Sequence, residues 1–155
     1  MSIKRIANRI SIVEKVNSGI LKRHTLRFHK VSNIDGSGKC DIYETESSED
    51  IVQGVIFDIT EADKLVLDEI EGLGKGYEIK EVTIELNDGS VTQAFTYYAT
   101  KIDASLKPLC WYKEHVLIGA RENNLPEDYI RKIEAVEYIE ETNPDKRKEE
   151  LSIYL

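Results

Sequence analysis

Residues 82–98 constrain the fold of this chain more than any other stretch. Val82, Ile84 and Leu86 alternate with polar side chains, Asn87-Asp88-Gly89 supplies turn chemistry, and Val91 to Tyr98 runs back, which together predict a β-hairpin. A second strand signal lies at Val52 to Ile59, where β-branched and aromatic residues dominate. A third runs from about Ile20 to Val31, with Leu26 and Phe28 on one face and Arg27 and His29 on the other, the alternation of a half-buried strand. These strands outnumber what regular βαβ alternation supplies. The chain therefore reads as an α+β fold with a mixed, partly closed, β-barrel-like sheet and flanking helices.

The helices are marked by a different period. Ile3, Ile6, Ala7 and Ile10 follow the i, i+3, i+4, i+7 spacing of an amphipathic helix. Thr60 is placed to cap a helix whose capping box Asp63 completes, and Ala62, Leu65, Val66 and Ile70 are expected to form that helix's buried face. It stops at Glu71-Gly72, and Gly72, Gly74 and Gly76 then form a connection in which positive backbone dihedrals cost little. Tyr77 begins the next strand. Further on, Leu109, Tyr112, Val116 and Gly119 share a helical face, and Pro126 with Glu127 and Asp128 suits a helix start.

At 155 residues the chain fits one core. We read residues 1–141 as that domain and 142–155 as a charged, loosely held tail. No apolar run approaches the roughly 20 residues that span a bilayer, and the basic start is not followed by a signal-type apolar stretch, so the expectation is a cytoplasmic protein that does not bind membranes. A net charge of −8 argues against nucleic-acid binding, although Lys22, Arg23, Arg27 and Lys30 form a local basic patch. Oligomeric state is not encoded in any pattern seen here.

Three groups of residues invite chemistry. Gly36-Ser37-Gly38-Lys39 lacks the four-residue glycine spacing and following hydroxyl of a P-loop; it reads as a Gly-rich turn that could border an active site. Cys40 or Cys110 could act as a nucleophile if paired in space with His24, His29 or His115, but nothing in the spacing selects a pair, and scattered histidines do not make a metal site. Finally, Glu71 lies one turn beyond Leu67 and three residues beyond Asp68, near the buried stripe of its helix. A carboxylate desolvated there would be a useful proton shuttle near neutral pH; position alone favours an exposed helix-end glutamate over that role.

Leu67-Asp68-Glu69-Ile70-Glu71-Gly72, with Tyr77 five residues on, resembles the Leu-Asp-x-x-Glu-Gly motif of the gamma-glutamylcyclotransferase family. Downstream, Trp111-Tyr112-Lys113, Gly119-Ala120-Arg121-Glu122-Asn123 and Leu125-Pro126-x-x-Tyr129 resemble that family's C-terminal helical signature in order and spacing. Gly54-Val55-Ile56-Phe57 is similar to its strand before the catalytic helix, and the similarity runs from Ser2 to about Glu137. The resemblance implies cyclisation of a small gamma-glutamyl amide to 5-oxoproline with release of an amine or amino acid. It implies Glu71 as general acid/base and Gly72, Tyr77 and Tyr112 as substrate-binding residues. Neither a metal nor an organic cofactor is required by this chemistry.

The family also holds its substrate with a Tyr-Gly-Ser-Asn loop just before the helix that Ser2 to Ile10 resembles, so that loop is expected upstream of Met1. Two readings follow: a start assigned too late, or a short form that acts as an inactive small-molecule-binding or regulatory module on the same fold.

Overall fold

The computed structural model describes residues 1–11 and 13–155. In chain order the elements are α1 (Ile3–Ala7), β1 (Val13–Lys22), β2 (His24–Val31), β3 (Gly38–Glu44), β4 (Ile51–Ile59), α2 (Glu61–Glu71), β5 (Tyr77–Leu86), β6 (Val91–Ala99), α3 (Cys110–Glu122), α4 (Glu127–Glu134) and α5 (Pro144–Leu151), ending in a 3-10 turn at Ser152–Tyr154. Four strands form one sheet in the order β4-β1-β5-β6, and β2 pairs with β3 in a separate ribbon. Each ladder is antiparallel.

The ribbon is tied to the last residue of β6 and to the chain just beyond it. The Ala99 amide donates to the Asp41 carboxylate at 2.7 Å, and the Val31 amide donates to the Lys101 carbonyl at 2.9 Å. The α+β class and the partly closed sheet expected from the sequence are both present. Phe28 on β2 packs with Leu117, Ala120, Ile130 and Ile133 of α3 and α4; Leu21, Val52 and Val82 form the core between strands.

The strand expected over Ile20 to Val31 is two strands, because the chain reverses at Arg23. That residue has φ 60, and its turn is held from outside: its amide donates to the Asp50 carbonyl and its carbonyl accepts from the Thr45 amide, both at 2.7 Å. No glycine or asparagine marks the reversal, so local sequence gave no turn signal.

The buried face of α2 also differs from expectation. Ala62, Leu65, Val66 and Ile70 are exposed, and the residues that turn inward are Asp63 and Leu67. Leu67 packs on Ile6 and Ile10. Asp63 is accommodated because its carboxylate accepts the Ser11 amide at 2.9 Å and the Thr60 hydroxyl at 2.8 Å, which satisfies a buried charge with short hydrogen bonds. Apolarity alone pointed to the wrong stripe.

The tail is not loose. α5 is capped by Asn143, whose side chain accepts the Asp145 and Lys146 amides. Beyond it, the Tyr154 hydroxyl lies 2.7 Å from His115 Nδ1 and 3.2 Å from Ser2 Oγ. A few anchoring side chains among many charges hold the segment against α1 and α3.

Candidate active site

The inward stripe of α2 runs Asp63, Leu67, Glu71, one turn apart. The helix ends at Gly72, whose φ of 77 lies in the left-handed region. The Leu73 amide reaches back to the Asp68 carbonyl and the Gly72 amide to the Glu69 carbonyl, at 2.9 and 3.1 Å, which closes the helix as a Schellman motif. Asp68 pins this last turn to the sheet, accepting from the Tyr97 hydroxyl at 2.5 Å and from the Lys64 ammonium at 2.7 Å. The result is a glutamate whose backbone is held on both sides.

Glu71 lines a cavity of about 560 Å³, together with Tyr77, Tyr112, Cys40 and Arg5. Its carboxylate is hydrogen-bonded to the Arg9 guanidinium; the two side chains are 19% and 23% exposed. The pair therefore sits at a boundary where a ligand can reach it.

Two tyrosines converge on the backbone of a single residue of β3, Cys40. The Tyr77 hydroxyl donates to the Cys40 carbonyl at 2.6 Å, and the Tyr112 hydroxyl accepts from the Cys40 amide at 3.1 Å. Burial pushes both phenols well above the ordinary tyrosine range, with Cys40 adding to each. They are neutral phenols at physiological pH. Phe28 meets Tyr112 edge-on at 6.4 Å and the Arg5 guanidinium lies 5.8 Å from the same ring.

A polar cluster with a carboxylate lining a half-open cavity suits proton transfer to a bound small molecule. Human and bovine gamma-glutamylcyclotransferases are 33% and 32% identical to this chain over 109 residues, which is 70% of this chain and 56% of each relative. The chain thus spans about half the length of these relatives. A family model described as the AIG2-like family matches residues 51–133, a segment containing Glu71, Gly72, Tyr77 and Tyr112.

The chain belongs to this AIG2-like, gamma-glutamylcyclotransferase-related family.

Its fold is also that of a solved gamma-glutamyl cyclotransferase, with a TM-score of 0.86 at 24% identity over 97% of this chain and 92% of the other. An uncharacterised human protein superposes with a TM-score of 0.85 at 25% identity, covering 98% of this chain and 91% of that one.

In this AIG2-like chain Glu71, Tyr77 and Tyr112 line one cavity, while Gly72 closes the helix that holds the Glu71 backbone. The thiol alternatives do not assemble. Burial raises the Cys40 thiol to about 11, so it is protonated and a poor nucleophile at neutral pH, and Cys110 Sγ accepts the Glu141 amide at 3.4 Å. Each histidine has another partner: His24 Nδ1 lies 2.8 Å from the Lys22 carbonyl, His29 Nε2 lies 2.7 Å from Asp41 Oδ2, and His115 meets Tyr154. Among the described residues no group of three or more His, Cys, Asp or Glu side chains could hold a metal ion.

Sequence reasoning missed Arg9 and the Cys40 backbone, naming Cys40 only for its thiol, and it named Lys39 only as part of a glycine-rich turn that could border an active site. The Lys39 ammonium lies 4.8 Å from the Trp111 ring centre and 4.6 Å from that of Tyr112. It is held there by Asp35 at 3.0 Å and Ser37 at 2.9 Å, so the Gly36–Lys39 turn does border the site. Only the glycine-rich turn itself hinted at this; Arg9 and Cys40 have no local signal.

Proposed function

We propose that this chain carries the acid/base centre of a gamma-glutamyl cyclisation. The single observation that carries the reading is that Glu71 lines one cavity with Tyr77 and Tyr112, inside the segment that matches the family. In the proposed reaction Glu71 takes a proton from the substrate's α-ammonium. The freed amine attacks the γ-carbonyl carbon of the same molecule, a new carbon–nitrogen bond closes the five-membered ring, and the original amide bond breaks. Glu71 returns the proton to the leaving nitrogen, and the ring nitrogen's remaining extra proton passes to the released amine, giving 5-oxoproline and an amine or amino acid that departs as its ammonium form. Nucleophile and electrophile are one molecule, so holding a folded conformer removes much of the barrier.

Arg9 has a defined part in this scheme. Its guanidinium neutralises Glu71, and the incoming ammonium exchanges with it as the carboxylate's partner. The same ion pair favours a second reading, a small-molecule-binding or regulatory module in which Arg9 keeps Glu71 from acting as a base.

Incubation with a panel of gamma-glutamyl dipeptides and gamma-glutamylamines separates the two. The cyclotransferase reading expects 5-oxoproline and free amine, and a loss of roughly 10²- to 10⁴-fold in rate in Glu71→Gln with an unchanged thermal midpoint. Ligand-induced thermal stabilisation without product, equal in wild type and Glu71→Gln, would establish the binding module instead.

A further inference from the structure

Lys30 is a buried cation that neither the fold nor the proposed proton transfer uses. A register irregularity between Arg27 and Lys30 interrupts the alternation of β2, and just beyond it Lys30 is buried, an unusual place for a lysine. It is 7% exposed. Its backbone is locked on both sides, since the His29 carbonyl accepts from the Asp103 amide at 2.8 Å and the Val31 amide donates to Lys101 at 2.9 Å. The side chain must therefore point into the molecule.

What it meets there is a ring and a second cation. The ammonium lies 4.7 Å from the centre of the Tyr77 ring, a favourable cation–π position. Gly76, between Glu71 and that tyrosine, leaves room for the aliphatic stem: a β-carbon at position 76 would come within 3.1 Å of Lys30 Cε. Directly opposite in the β2–β3 ladder stands Lys39, and like charges facing one another across a ladder are destabilising. Lys39 is neutralised by Asp35. Among the described residues Lys30 has no ion pair and no side-chain hydrogen bond, and Glu71, the carboxylate whose field acts most strongly on it, is bonded to Arg9. Burial pushes the Lys30 ammonium below the ordinary lysine range; Glu71 opposes that and Lys39 adds to it.

A largely buried, uncompensated charge is costly unless an anion completes it. We propose that Lys30 is a substrate-binding residue of this site, its ammonium receiving a carboxylate of the gamma-glutamyl compound above the Tyr77 ring. This rests on the cyclotransferase reading for the identity of the ligand. Two carboxylates share the required chemistry: the α-carboxylate present in every gamma-glutamyl compound, and the carboxylate of the leaving group present only when an amino acid is released. In both cases the interaction fixes the substrate beside Glu71 without taking part in proton transfer, so it appears in KM rather than in kcat.

The test compares wild type, Lys30→Met and Lys30→Arg on gamma-glutamyl-alanine and gamma-glutamyl-butylamine, with circular dichroism as a check of folding. Loss of a charge-assisted hydrogen bond raises KM by about 10- to 100-fold in Lys30→Met, with kcat changed less than about threefold and most of the effect restored in Lys30→Arg. A rise on both substrates assigns the α-carboxylate; a rise on gamma-glutamyl-alanine alone assigns the leaving group's carboxylate. Unchanged KM on both, or no restoration by arginine, overturns the proposal.

A calorimetric titration with glutarate keeps the result independent of turnover. If wild type turns over nothing yet binds glutarate about tenfold or more better than Lys30→Met, the cyclotransferase reading fails and the anion site stands. Equal binding by the two proteins, or none by either, removes Lys30 from the site.

Discussion

The two walls of the cavity are built by opposite means. The Glu71 wall is local: a threonine cap, one helix, a left-handed glycine and the first residue of β5 follow one another between Thr60 and Tyr77. The wall at Cys40 and Asp41 is a meeting of distant segments. The Cys40 backbone joins tyrosines 37 and 72 positions away, and Asp41 joins His29, 12 positions away, to Ala99, 58 positions away. A change in the local wall should therefore weaken one turn, whereas a change in the assembled wall removes a bridge between elements and leaves buried groups without partners.

The sharpest way to break this comparison is Asp41→Ala. The Asp41 side chain is 2% exposed and accepts from both His29 and the Ala99 amide. Its removal leaves two half-buried donors without their acceptor and is expected to cost about 2–4 kcal/mol, read by urea denaturation.

Acid titration tests the assembled side behind Tyr112. Burial pushes His115 down from 6.5 to about 3, so the folded protein keeps it neutral where the unfolded chain protonates it. This contribution to stability is complete above pH 6.5 and is lost as pH falls from there toward about 3, with a slope of at most roughly 1.4 kcal/mol per pH unit. Comparing denaturation midpoints of wild type and His115→Gln across that range isolates it: the wild-type curve falls more steeply.

The smallest effect belongs to the local wall. Gly72→Ala places a β-carbon at φ 77 with its nearest neighbour 3.9 Å away, so the cost is conformational alone, about 1–2 kcal/mol. Its thermal midpoint should fall less than that of Asp41→Ala. If the two variants are equally destabilised, the distinction between a local and an assembled wall does not hold.

That distinction also sets what could be read in advance. The hairpin over β5 and β6, the Thr60 cap, the stop at Gly72 and the position of Glu71 are decided by residues within a few places of one another, and the sequence alone determined them. The motif around Glu71 and the downstream helical signature carried the family as well. Tertiary structure alone decided the rest. Leu65 and Ile70 read as core on apolarity, but Asp63 takes the inward stripe because Ser11 and Thr60 satisfy it. The reversal at Arg23 depends on Asp50 and Thr45, the two tyrosines meet because β3 passes between them, and Lys30 became a candidate only when its neighbours were seen to leave it unpaired. Caps and turns act over one helical turn or hairpin and are legible in sequence; burial of a polar group depends on which distant partner satisfies it.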